Sequence, residues 1–150
     1  MKVSELMVQP VIVVNEQTTL AEVARLMLER RMGGIPVTDA QGILCGIITE
    51  SDFAAKEKGV PFSTFRAPQL FGQWMGKEGV EELYRTAQTM PAQTIMTRRV
   101  VTVTEDEPVE AVIQKMLSHD INRIPVVRQG VPVGIVTRHD LLKLMAQQPC

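Results

Sequence analysis

Apolar positions along the chain change period in a fixed order, and that order occurs twice. Val11 to Val14 and Val100 to Val103 are short apolar runs of the kind that form strands. Each is followed by a change of period. Leu20, Val23, Ala24, Met27 and Leu28 fall at i, i+3, i+4, i+7 and i+8, and Val109, Val112, Ile113, Met116 and Leu117 repeat the spacing. This is the buried face of a helix in each half. Thr18 or Thr19 is placed to cap the first helix, and Pro108 suits the first turn of the second. The sequences IPVT and IPVV come next, then a glycine-containing turn and the runs ILCGII and VPVGIV, which read as a strand pair. A last helix is expected from near Asp52 and near Asp140.

The two halves align directly. A displacement of 89 positions puts Met7 on Met96, Val23 on Val112, Met27 on Met116 and Ile35-Pro36-Val37 on Ile124-Pro125-Val126. After a one-residue slip near Asp39, GIITESD (46–52) falls on GIVTRHD (134–140). The expected fold class is therefore α/β (α+β): two β-α-β-β-α repeats, each covering the apolar strand face that the other exposes. Between them, residues 57–92 carry three of the four phenylalanines (Phe62, Phe65 and Phe71), Trp74 and Tyr84. A plain linker would lack such residues. The segment is expected to pack on the flank of the repeats or to form a partner surface, with a short helix over 78–88.

Composition narrows the function without naming it. With 45% hydrophobic residues and a formal net charge of -1, the chain has no basic excess, so nucleic acid and membrane surfaces are not the expected partners. The amino-terminal apolar run is broken by Gln9 and Pro10, and a cytoplasmic location is the default expectation. Cys45 and Cys150 form no disulfide framework, and Cys45 reads as a buried free thiol. His119 and His139, the two histidines, have no metal-ligand spacing, and neither a Ser-His-Asp nor a Cys-His order is present. No enzyme, metal or catalytic cofactor is expected.

The duplicated Gly-Ile-X-Thr-X-X-Asp has two uses. Thr49 with Asp52, and Thr137 with Asp140, form a capping-box pattern at a strand-to-helix junction that needs no ligand. The same atoms suit a nucleotide: helix N–H groups and a threonine hydroxyl for phosphate, an aspartate for ribose hydroxyls, and a glycine for close approach of a backbone or a flat base.

The tandem units, the Ile-Pro-Val stretch ahead of the glycine turn and the repeated Gly-Ile-X-Thr-X-X-Asp resemble a pair of cystathionine-β-synthase (CBS) domains. The resemblance covers roughly 1–56 and 91–145, and implies CBS domain 1 at 1–56, a connecting segment at 57–92 and CBS domain 2 at 93–146. It implies association about a pseudo-twofold axis, clefts that take adenine nucleotides (AMP, ADP, ATP) or S-adenosylmethionine as regulators, and a homodimer. In one cleft it implies Asp140 on the ribose, Thr137 on phosphate and Ile135 on the base, with Thr18, Val23, Met32 and Gly33 opposite. In the other it implies Asp52, Thr49 and Ile47, with Glu107, Val112, Ile121 and Asn122 opposite. Arg123, before Ile-Pro, is implied as a phosphate contact, where the first copy has Gly34. A stand-alone regulator of this kind acts on another subunit or on an unidentified protein partner. The competing expectation is a non-catalytic scaffold that keeps the fold and has lost its ligands.

Overall fold

The computed structural model describes residues 1–54 and 77–147. Phe62, Phe65, Phe71, Trp74 and Cys150 lie outside the described residues. Each repeat builds a three-stranded mixed sheet. In the first, β1 (Val14–Asn15) runs parallel to β2 (Gly34–Thr38), which runs antiparallel to β3 (Leu44–Thr49). In the second, β4 (Val103–Thr104), β5 (Arg123–Arg128) and β6 (Val131–Thr137) have the same order and sense. The crossover from β1 to β2 is α2 (Leu20–Arg30), and the corresponding helix of the second repeat is α4 (Val109–His119). The short α1 (Val3–Leu6) opens the chain, α3 (Lys77–Ala87) precedes the second repeat, and α5 (Arg138–Gln147) closes it.

The first strands are shorter than their apolar runs. Only Val14 and Asn15, and only Val103 and Thr104, pair with a neighbour, because residues 11–12 and 100–101 leave the sheet to line clefts. Pro36 and Pro125 are tolerated in central strands for a related reason. β1 pairs with Val37 and Thr38 alone, and β4 with Val126 and Val127, so each proline stands outside that ladder. Turn glycines Gly42 (φ 80°) and Gly130 (φ 83°) close the two hairpins in the left-handed region.

The helix stripes are narrower than their spacing predicts. Leu20, Val23 and Met27 are buried, as are Val109, Val112 and Met116. Leu28 is 80% exposed and Leu117 76%. At about 100° per residue, position i+8 stands roughly 80° round from position i, at the edge of the stripe rather than within it. Thr19, not Thr18, is the cap of α2 and accepts the Glu22 N–H at 3.3 Å. Pro108 occupies the cap position of α4.

Each repeat has its own core, and each core is completed by the other repeat's leading segment. Val3, Leu6 and Met7 pack with Val103, Val112, Met116, Ile124 and Val136 of the second repeat. Ala92, Ile95 and Met96 pack with Val14, Val23, Met27, Ile35 and Ile48 of the first. Backbone bonds follow the exchange: the N–H of Val8 donates to Ile135 O at 2.9 Å, and that of Thr97 to Ile47 O at 2.9 Å. Full burial of one such side chain contributes about 1.5–3 kcal/mol, so the exchanged methionines tie the two halves together. Among the described residues no helix is long and apolar enough to cross a membrane.

Candidate functional site

In both Gly-Ile-X-Thr-X-X-Asp phrases the aspartate closes back on the threonine. At the end of β6, the Thr137 N–H donates to Asp140 Oδ2 at 2.8 Å and its hydroxyl donates to the same oxygen at 3.2 Å. At the end of β3, Thr49 makes the same two bonds to Asp52 Oδ2, at 2.8 and 3.3 Å. Both aspartates are buried, Asp140 at 2% exposure and Asp52 at 7%. The second oxygens differ. Asp140 Oδ1 pairs with Lys143 Nζ at 3.1 Å, whereas no bond to Asp52 Oδ1 is found among the described residues.

The glycine of the phrase serves the exchanged segment. A Cβ on Gly134 would stand 2.5 Å from Met7 Sδ, and one on Gly46 would stand 2.5 Å from Met96 Sδ. The close approach that the sequence suggested for a backbone or a base is made here by a methionine side chain of the other repeat. These contacts bring residues 8–12 and 97–101 alongside the two caps.

Two clefts result. One, of about 580 Å³, is lined by Ile135, Thr137 and Asp140 from the second repeat, by Met32, Gly33 and Gly34 from the first, and by Val8, Pro10, Val11 and Ile12. The other, of about 420 Å³, is lined by Ile47, Thr49 and Asp52, by Ile121 and Asn122, and by Thr97, Arg99, Val100 and Val101. Gly33, Asn122 and Arg123 border both. Volumes in this range suit a nucleotide-sized ligand.

Of the residues expected opposite the phrases, Thr18, Val23, Val112 and Glu107 line neither cleft. The clefts open at the carboxyl ends of α2 and α4, where Met32 and Ile121 follow the helices, while Thr18 and Glu107 precede them. An eleven-residue helix separates the two ends by about 16 Å. Val23 and Val112 are fully buried in the cores. The Thr18 hydroxyl accepts the Asn15 N–H, and Glu107 accepts the Thr104 N–H and pairs with Lys115 at 3.6 Å. Val8, Pro10, Val11 and Ile12 of one cleft, Thr97, Arg99, Val100 and Val101 of the other, and Arg30, Arg31 and Lys143 were missed. The Met7/Met96 match was the available signal for the exchanged segments.

Charge distinguishes the clefts. The Asp140 cleft is bordered by Arg30, Arg31, Arg123, Arg138 and Lys143 against Asp140 alone. The Asp52 cleft is bordered by Arg99 and Arg123 against Glu50, Asp52 and Asp120. Arg138 also reaches Asp120 at 3.7 Å, linking the two rims. Burial lowers the Arg123 pKa from its usual value, and the charge of Glu50 opposes that shift. Cys45 lies elsewhere: burial first, then its hydrogen bond to Glu16 at 3.3 Å, push its pKa up to about 11, so the thiol is protonated at neutral pH. No group of three or more metal-ligating side chains is found among the described residues.

Comparison with known proteins decides the family. The CBS domain model matches residues 3–59 and 92–147. The chain belongs to the CBS domain family. As a CBS pair it is similar to a solved CBS domain of a CBS domain-containing membrane protein from Sphaerobacter thermophilus, at 43% identity and a TM-score of 0.73, covering 96% of this chain and 87% of that one. It is also similar to the CBS domain pair of protein MJ0100, solved in complex with 5′-methylthioadenosine and S-adenosyl-L-methionine, at 27% identity and a TM-score of 0.70, covering 97% and 96%. The CBS domain-containing protein YhcV of Bacillus subtilis is 30% identical over 139 residues, 93% of this chain and 81% of that protein. Against several longer curated relatives the chain spans only 23–32% of their length.

Proposed function

We propose that this CBS pair is a non-catalytic regulatory module that holds adenine nucleotides or related adenosyl compounds between its repeats, with phosphorylated ligands in the Asp140 cleft. The observation that carries this reading is the convergence of five cationic side chains on a cleft that also holds a buried aspartate, a threonine and Ile135. Phosphate meets Arg123, Arg138 and Lys143, since charge-assisted guanidinium and ammonium bonds are the strong ones. Asp140 takes the ribose by exchanging Lys143 for sugar hydroxyls, and Ile135 flanks the base. The adenosyl ligands of the MJ0100 pair, a relative of similar length, support the same ligand class.

A ligand touching both repeats favours one relative orientation only by as much as it binds that orientation more tightly. The signal then passes to another subunit or protein. Leu28 and Leu117, exposed at matching positions of α2 and α4, supply the apolar face of a homodimer. Light scattering should give twice the 16.7 kDa chain mass, and a monomer at micromolar concentration contradicts the dimer.

The scaffold reading is favoured by one observation, that both aspartates are already bonded to their threonines without a ligand. A thermal-shift panel of ATP, ADP, AMP and S-adenosylmethionine separates the two. Ligand at 100 to 1,000 times its Kd stabilises by about 2.7–4.1 kcal/mol. A flat panel selects the scaffold.

A further inference from the structure

Arg123 stands on the wall between the clefts and borders both. Its side chain lies across the Gly33-Gly34 saddle: a Cβ on Gly34 would meet its Cδ at 2.6 Å and its Nε at 3.0 Å, and one on Gly33 would collide with its guanidinium. Among the described residues the guanidinium makes no hydrogen bond or ion pair, so it is available to a ligand on either side. The pseudosymmetric position is Gly34, and the chain therefore has one arginine where a symmetric pair would have two. One guanidinium cannot clamp an anion in both clefts at once.

The surroundings decide which side takes it. Beside Arg123, the Asp140 cleft has four further cations, whereas the Asp52 cleft has Arg99 alone against three carboxylates. An anion in the Asp140 cleft draws Arg123 towards itself and competes with Asp120 for Arg138, which leaves the Asp52 cleft with less compensation for its acids. Like charges in a half-buried cleft repel strongly because the dielectric there is low.

Resting on the nucleotide reading above, we propose that Arg123 is a shared specificity determinant that limits the module to one phosphorylated ligand per chain, in the Asp140 cleft, and reserves the Asp52 cleft for an adenosyl ligand without phosphate. The two ligands are then different in kind, and the module responds to both.

The test uses the full chain with labelled isoleucine methyls, because Ile135 lines only the Asp140 cleft and Ile47 only the Asp52 cleft. ATP should saturate the Ile135 signal at a concentration at least tenfold below that which moves Ile47, and adenosine added to the ATP-saturated chain should move Ile47. Arg123→Gln should weaken ATP at Ile135 by about tenfold, with partial recovery in Arg123→Lys. Glu50→Arg, which gives the Asp52 cleft the residue its counterpart has at Arg138, should admit a second ATP and tighten the Ile47 response at least tenfold. Inorganic tripolyphosphate separates this proposal from the nucleotide reading. If tripolyphosphate selects Ile135 while neither ATP nor adenosine binds through its base, the division of charge stands and the nucleotide reading fails. ATP titrating Ile47 and Ile135 within threefold of each other, or Glu50→Arg leaving the Ile47 response unchanged, overturns the shared-arginine proposal.

Discussion

The two clefts share one backbone plan and differ in what surrounds it. In each, a strand ends in threonine, an aspartate caps the next turn, and the other repeat's leading segment forms a wall, with a methionine seated on a glycine. Yet Arg138 and His139 of one correspond to Glu50 and Ser51 of the other, and Asn122-Arg123 corresponds to Gly33-Gly34. The shared residues build the fold. The unshared ones set the charge of each cavity, which shows that duplication can keep a scaffold while its two clefts diverge in charge.

The largest expected asymmetry comes from the aspartates. Asp140→Ala leaves the half-buried Thr137 N–H without its acceptor and the half-exposed Lys143 without its partner, and should cost about 2 kcal/mol by chemical denaturation together with at least a ~30-fold loss of ATP affinity. Asp52→Ala should cost about 1 kcal/mol, as for a lost cap, and leave the tight ATP step within about threefold. Calorimetry in which Asp52→Ala removes the tight step, and Asp140→Ala spares it, would reverse the assignment.

Glycine substitutions probe the exchanged walls. Gly134→Ala and Gly46→Ala each press a methyl group onto a methionine and should destabilise by similar amounts, about 1–3 kcal/mol. Only Gly134→Ala should weaken ATP, because Met7 leads into the wall of the Asp140 cleft. Adding Met7→Ala should relieve the clash and recover part of the binding. Equal losses of ATP affinity from both glycine variants would show that the clefts are not separately walled.

The smallest effect lies at the two left-handed helix ends, Arg31 (φ 53°) and Asp120 (φ 51°). Arg31→Gly should raise stability by about 0.5 kcal/mol, whereas Asp120→Gly should change it little, because aspartate tolerates this conformation better than arginine. Thermal denaturation at fixed ionic strength measures both. The charge lost with Arg31 should weaken ATP by no more than about twofold, given the four other cations of its cleft.

Much of this arrangement was legible in the sequence because it was written twice. The helices, the hairpins and the caps at Thr49 and Thr137 follow from period and turn chemistry, which are local. The clefts were only half legible. Gly33, Met32, Asn122 and Arg123 follow the helices and do border them, but Val23 and Val112 belong to the apolar stripes that the cores require. Residues 8–12 and 97–101 escaped notice because their place depends on exchange between repeats, a tertiary event with no local period. The exposure of Leu28 and Leu117 was missed for a geometric reason, since i+8 leaves the buried face.

The central claim is that phosphate binds beside Asp140 and not beside Asp52, and a crystal structure of the chain grown with ATP tests it most directly. The account predicts phosphate density among Arg123, Arg138 and Lys143, with the ribose at Asp140 and the base against Ile135. Phosphate density against Arg99 and Thr97 in the Asp52 cleft, with the Asp140 cleft empty, would contradict it.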